Sequence, residues 1–411
     1  MNRMGILAKC KRQISFMLLV LLVLSLTGCW DRIEIEDRAL ILGIGIDEAE
    51  EGASSTEDLT THSREEAAPL DNRMIRLTAQ IAVPGRIPLG PGGNGGSAEG
   101  KEEPVWVVSV VGHTINDAMN NLQQEIADPR SLIHLRVIVV NENVARRGMD
   151  DLNDYLRRNQ EVRRSTWLLI TDNKAADLMG VAPPLERVPT LYLLLEKAAD
   201  MGKFPKNSLS NYWNSESKLG QNAYLPYVSI RQKENILIKG LAYFNSNKLV
   251  GTTTPIEIGA YMAAKGFNPG GYTAMYNVPG IGFVTIRATE RQSNIKVDIR
   301  NGKPHATINV RIQAELAEKY SPKPGMDDQE ELNMAERGFN RFVKEMITSL
   351  LEKTQKDKSD IIGFGEIVRA NNRDYWHKHI RDKNDWALLY SNMTYTIHVS
   401  SDIRRVGMKV D

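Results

Sequence analysis

The chain has 411 residues, which at roughly 100–200 residues per domain predicts two or three domains. Charged residues make up 25% and the formal net charge is +1, so the composition excludes a wholly disordered chain and lacks the basic surplus of a nucleic-acid-binding protein. The two cysteines exclude a disulfide-rich scaffold and a four-cysteine metal site.

The first 28 residues form a basic and then apolar leader. Four basic residues and no acidic one lie in residues 1–13, and an apolar run follows at residues 14–26. This run is shorter than the roughly 20 apolar residues that a membrane-spanning helix needs, but it fits the apolar region of a secretory signal. We therefore predict a signal peptide at residues 1–28.

Leu26, Thr27 and Gly28 precede Cys29 and resemble the lipobox of bacterial lipoproteins. Small residues let the backbone enter the signal peptidase site, and the thiol can take a diacylglyceryl group. Cys29 is accordingly predicted as the lipidation site and mature N-terminus, because its position, the apolar run and the motif agree. Two or three acyl chains on this one cysteine would suffice for stable anchoring. The alternatives are a cleaved signal with an unmodified Cys29 and an uncleaved short anchor.

An N-terminal α+β domain is predicted at residues 29–210. Strand-like segments alternate with helical ones, which is typical of a mixed sheet with helices packed on it. Two segments poor in apolar residues, acidic residues 48–71 and glycine-rich residues 85–104, are interpreted as mobile insertions. The predicted strands are residues 38–47, 74–83, 105–111, 135–140 and 166–171.

A C-terminal α+β region is predicted at residues 225–411, and its division into two subdomains near residue 300 stays open. Its longest helix, residues 327–356, carries an apolar stripe expected to face a core. The fold class is therefore α+β and multi-domain, with mixed or antiparallel sheets flanked by helices. The other predicted elements are a hairpin at 236–244 and 248–251, a helix at 257–265, three antiparallel strands at 281–289, 295–300 and 306–316, and a late strand at 390–399.

Motifs for catalysis or cofactor binding are missing from the sequence. It has no phosphate-binding GxxxxGK[ST], no HExxH and no GxSxG, and the glycines at 43 and 45 lack the third glycine of a dinucleotide fingerprint. His377 and His379 have no nearby ligand partners in the sequence and are interpreted as part of a solvated loop. We predict no catalytic residue, no metal and no cofactor, and hence no enzyme.

The charged turn with Glu161, Arg163 and Arg164 lies just before a strong strand. One interpretation is an internally salt-bridged turn. The other is an edge that binds a partner protein through these three side chains.

An ordered series of motifs resembles the Ger(x)C family of spore germination lipoproteins. The resemblance covers essentially the whole chain, with departures at residues 48–71 and 90–100. The matching segments are LTGCWDR at 26–32, GID at 45–47, GHTINDA at 112–118, HLRV at 134–137, EVRRS at 161–165, GLAYF at 240–244, KLVG at 248–251 and SDIIGFG at 359–365.

This resemblance implies the C subunit of a nutrient germinant receptor, without catalytic activity. It implies lipid anchoring on the outer face of the inner spore membrane and assembly with the A and B receptor subunits, but gives no ligand site. Two alternatives remain: a solute-binding lipoprotein of a transport system, and a lipid-anchored hydrolase.

Overall fold

The computed structural model describes residues 38–55, 57, 59–67, 73–83, 105–180, 190–232, 235–268, 270–320 and 328–405, together with residues 13, 16 and 17. The lipobox, Cys29 and the predicted insertion at 85–104 lie outside these residues. Among the helices of the described part, none is both long and apolar enough to cross a membrane.

The first half of the chain is built on a mixed sheet of nine strands. Three parallel pairings join its centre, from β1 through β5 and β6 to β7, and antiparallel pairings extend both sides. The strand order is β3-β2-β1-β5-β6-β7-β8-β9, with β4 beside β1. The strands are β1 (Ala39–Glu48), β2 (Ile75–Ala82), β3 (Val105–Gly112), β4 (Arg130–Ser131), β5 (Val137–Asn141), β6 (Trp167–Thr171), β7 (Tyr224–Arg231), β8 (Asn235–Asn245) and β9 (Lys248–Thr252).

Helices cover both faces of this sheet. The helix after β3 begins at Ile115 and is capped by Thr114, whose side chain accepts a hydrogen bond of 3.1 Å from the backbone N–H of Asp117. The helices up to the end of β9 are α1 (Arg64–Ala67), α2 (Ile115–Glu125), α3 (Glu142–Arg147), α4 (Asp150–Arg158), α5 (Ala175–Gly180), α6 (Thr190–Asp200) and α7 (Leu209–Ser217).

The central strands are buried on both faces, which explains why they are continuous apolar runs in the sequence. In β5, Val137 and Val139 point into one hydrophobic core, whereas Ile138 and Val140 point into the other. The same alternation occurs in β6 and β8. The first of these cores continues without a break into the C-terminal part of the chain.

The second sheet has the order β10-β11-β12-β13 and ends in a parallel pair, β12 with β13. A long helix packs the predicted apolar stripe onto it, including Phe339, Ile347 and Leu350. The elements are α8 (Pro255–Lys265), β10 (Thr273–Val278), β11 (Gly282–Arg300), β12 (Lys303–Tyr320), α9 (Asp328–Lys356), α10 (Phe364–Asn371), α11 (Arg373–His379), α12 (Lys383–Ser391) and β13 (Thr394–Arg405).

Two local predictions are wrong. The predicted strands at 281–289 and 295–300 form the single strand β11 (Gly282–Arg300), because pairing with β12 continues through polar residues 290–294 after a register shift between Ala288 and Glu290. His377 and His379 lie on α11 rather than in a loop, although both side chains are exposed as expected.

The α+β class with mixed sheets flanked by helices is confirmed. The predicted C-terminal region starts at residue 225, inside β7, and so takes in nearly all of β7, β8 and β9, which complete the first sheet. By sheet membership, the second half of the fold therefore begins after Thr252.

Candidate functional site

The turn at residues 161–164 follows α4 and faces the connection between β4 and β5. Glu161 accepts a hydrogen bond of 2.6 Å from the backbone N–H of Leu132 through Oε2, and its own N–H donates to Asn159 Oδ1 at 2.9 Å. The carboxylate of Glu161 thus fastens two segments of the same domain. Of the three predicted partner contacts, this one has an internal role.

Arg163 and Arg164 differ from Glu161 because both side chains are exposed. Their backbone carbonyls hold the turn, accepting bonds of 3.0 Å from the N–H groups of Thr166 and Ser210. The guanidinium groups do not take part in these bonds and so can point to solvent or to another protein. The structure places both cations at the surface of the first domain.

A basic patch surrounds the Arg163 side of the turn. Partial burial lowers the pKa of His134 below its usual value, and the nearby charges of Arg163 and Arg136 lower it further. Arg136 in turn lies over the ring of Tyr192, 5.5 Å from its centre. Because His134 is neutral at pH 7, the positive charge of the patch comes from the two arginines.

Arg164 also lies at the rim of an open groove between α4 and α7. Arg157 lies over the Trp213 ring in this groove, 5.4 Å from its centre, and pairs with Glu216 at 3.0 Å. The groove is open, and its lining combines polar side chains such as Asn159 and Ser210 with apolar ones such as Val162 and Trp213.

A small, mainly apolar cavity lies between α8, α9 and the second sheet, lined among others by Ala260, Ile312 and Phe342. Its volume is about 40 Å³. Pockets for small-molecule ligands have volumes of about 300–1,000 Å³, so this cavity is too small for an amino acid or a sugar.

The SDIIGFG segment forms the junction between the two halves of the molecule. Asp360 is fully buried; Oδ1 accepts from the N–H of Gly363 at 2.7 Å, and Oδ2 accepts from the N–H of Gly365 and from Trp386 Nε1, each at 3.0 Å. Burial raises the pKa of Asp360 to about 6, although the N–H donors favour the charged form. With both oxygens bonded inside the protein, Asp360 organises this junction rather than acting on a substrate.

The junction also connects to the first sheet through backbone groups. Asp360 and Asn222 exchange two hydrogen bonds, of 2.8 and 2.9 Å, and the Ser359 hydroxyl donates to the carbonyl of Phe244 at 2.6 Å. Gly220 packs so closely on Gly365 that a Cβ at either position would lie 2.5 Å from the other's backbone. The motif is therefore a rigid connection between β8 and the helices α10 and α12.

The chain matches two models of known protein families, one for each of its two halves. Residues 31–230 match the spore germination protein N-terminal domain, and residues 239–407 match the spore germination B3/GerAC-like C-terminal domain. The chain belongs to the Ger(x)C family of spore germination proteins. One of the family motifs is the SDIIGFG segment of the junction just described. The motif can be recognised in the sequence, but its position between the two halves of the molecule is visible only in the structure.

Individual relatives resemble the chain over nearly its whole length. The putative spore germination protein YfkR of Bacillus subtilis is 25% identical over 92% of this chain and 92% of its own. Spore germination protein B3 of the same organism is 25% identical, over 95% and 97%. The crystal structure of the GerBC protein has a TM-score of 0.52 at 21% identity, covering 88% of this chain and 96% of that one, which shows that the fold is shared.

Proposed function

We propose that the chain is a non-enzymatic, lipid-anchored subunit of a nutrient germinant receptor, which acts by assembling with the A and B subunits. The observation that carries this proposal is the pair of family matches, which together span residues 31–230 and 239–407. The first match begins two residues after Cys29. A chain processed at Cys29 would retain both family domains complete.

Lipid on Cys29 would hold the protein at the outer face of the inner spore membrane. Two or three acyl chains on one residue give stable anchoring, whereas one chain alone is marginal. A fatty acid analogue supplied to growing cells should label the full chain and should not label a Cys29→Ala variant. Equal labelling of both would refute the lipidation site.

Assembly with the membrane-embedded subunits needs a contact surface, and we assign it to the exposed side of the turn at 161–164. Arg163 and Arg164 are its charged contacts, supported by the adjoining charge of Arg136 and the open groove beside Arg164. Glu161 supports the turn from inside through its bond to Leu132.

Charge reversal tests this surface. The double variant Arg163→Glu, Arg164→Glu should lower recovery of the A and B subunits with this chain from detergent extracts by on the order of tenfold, because opposed like charges across an interface are costly. The matched control is Arg337→Glu, Arg341→Glu, two exposed arginines on α9. Equal recovery for both double variants would remove the turn from the interface.

A further inference from the structure

Part of the acidic insertion packs against the turn between β3 and α2. The Thr60 hydroxyl donates to Asn121 Oδ1 and the Thr61 hydroxyl donates to Asp117 Oδ1, so the segment lies along the first turns of α2. This contact brings together three side chains, of which the first and the last are more than fifty residues apart in the sequence. They are Glu57, His62 and His113, and their nitrogen and oxygen ligand atoms all lie within 4.8 Å of one another.

The three groups converge on one oxygen. Glu57 Oε2 lies 3.1 Å from His113 Nε2 and 3.5 Å from His62 Nε2. A tetrahedral zinc site with metal–ligand distances of 2.0–2.1 Å has ligand atoms about 3.3 Å apart. Both separations are therefore close to those of ligands around a single ion.

The site is also buried and rich in negative charge. The side chain of Glu57 is 1% exposed and that of Asp117 is 8% exposed. Within the described part of the chain, Glu57 Oε1 has no hydrogen-bond partner, and no lysine or arginine forms an ion pair with this carboxylate. A buried carboxylate is stable when it is paired or coordinates a metal, and a metal cation held between Glu57 and the two imidazoles would be such a partner.

Asp117 lies next to the three side chains and contacts both histidines. His62 Nδ1 lies 3.1 Å from the Thr61 hydroxyl and 3.6 Å from Asp117 Oδ1, while Nε2 of the same ring faces Glu57. Ligand histidines commonly use their second nitrogen for a hydrogen bond that fixes the orientation of the ring, and the Thr61 hydroxyl is placed for that bond. Oδ2 of Asp117 accepts from the backbone N–H of His113 at 2.9 Å, which holds the carboxylate in place.

We propose that Glu57, His62 and His113 bind a divalent transition metal ion, with Zn²⁺ as the ion to test, and that this ion fastens the 57–62 segment to the start of α2. Two imidazoles and one carboxylate suit zinc and leave a fourth position for water. The prediction of no metal from the sequence is opposite to this proposal: two of the ligands lie within residues 48–71 and the third lies far along the chain, so no local ligand spacing marks them.

The test measures zinc bound to the full chain purified in detergent. The protein is stripped with EDTA, dialysed against micromolar Zn²⁺ and analysed by elemental mass spectrometry. We expect one tightly bound zinc per chain, and a rise in melting temperature when zinc is restored. Glu57→Gln, which keeps the size of the side chain, and His62→Ala should each weaken zinc binding at least tenfold and abolish the rise.

The control is His377→Ala, which removes an exposed histidine on α11 and should retain the zinc. A wild-type chain without zinc after dialysis would overturn the proposal and leave a Glu57–His113 ion pair at this position. Zinc retained equally by the wild type, Glu57→Gln and His62→Ala would overturn it as well, because the metal would then be bound elsewhere. If His62→Ala lost its circular dichroism signal, Glu57→Gln would decide.

Discussion

Asp360 combines complete burial with three hydrogen bonds from the surrounding chain. Burial raises the pKa of its carboxyl from an ordinary value of 3.8 to about 6. Between these values the folded chain binds a proton that the unfolded chain releases. The free energy of unfolding therefore falls as pH rises through this window, by up to about 3 kcal/mol for this one group.

Replacing Asp360 by Asn should remove this pH dependence. With its oxygen in the place of Oδ2, the amide still accepts two of the three hydrogen bonds, but its NH₂ group then faces the N–H of Gly363, so we expect a loss of about 1–3 kcal/mol at pH 7. The loss should be larger at pH 4.5, where the wild type no longer bears the cost of ionisation. Urea unfolding of both proteins at the two pH values measures it; an equal loss at both would show that the raised pKa is wrong.

Gly220 tests the close packing at the same junction. A Cβ at this position would lie 2.5 Å from the carbonyl carbon of Gly365, and backbone cannot move aside as a side chain can. We expect Gly220→Ala to lower the free energy of unfolding by about 1–3 kcal/mol or more. Gly180, at the end of α5, has no described atom within 4 Å of such a Cβ, so Gly180→Ala is the control and should be neutral or slightly stabilising. Matching thermal shifts for the two variants would contradict the close contact.

Some properties of single residues can be predicted from the sequence, and others cannot. The charged turn could be found from its pattern, and exposure of Arg163 and Arg164 follows from their charge. The internal bond of Glu161 could not be found, because its partner Leu132 is 29 residues earlier and offers only a backbone N–H. For the same reason, no local pattern marks Glu57 and His113 as neighbours.

Among the elements, α9 was the most predictable. Its apolar stripe at helical spacing gives both the helix and the face that packs on the second sheet. The strand β11 was less predictable, since the polar residues 290–294 in its middle are typical of a turn. That run stays in the sheet because Arg291 is buried and donates to the carbonyls of Phe267, at 3.1 Å, and Gly202, at 3.4 Å.

The packing of α9 can be tested with two leucines. Leu350 is completely buried under the second sheet, whereas Leu388 on α12 is 54% exposed. Leu350→Ala should cost about 2–5 kcal/mol of stability, since it removes buried methyl groups and leaves a cavity. Leu388→Ala should change stability by about 0.5 kcal/mol or less. Chemical denaturation gives both values, and a small effect at Leu350 would contradict the assigned core.

At the scale of the whole molecule, two sheets share one continuous core and are joined by the SDIIGFG junction. The sequence predicts the α+β class and most elements, because local periodicity determines them. The limit of the first sheet could not be predicted, because β7 pairs with the distant strand β6, and β8 and β9 then extend the same sheet as hairpin partners. A body whose two halves share one core fits the proposed role of a membrane-attached assembly subunit better than that of a hinged solute-binding protein.

We propose above that this chain supports germination as a lipid-anchored receptor subunit. The most direct measurement is nutrient-induced germination of spores from the native host, with the gene deleted and then restored as wild type or as Cys29→Ala. We predict that deletion abolishes the response to at least one nutrient, that the wild type restores it, and that Cys29→Ala restores little of it while protein is lost from the spore membrane fraction. Full restoration by Cys29→Ala, or normal responses to every nutrient in the deletion strain, would contradict the account.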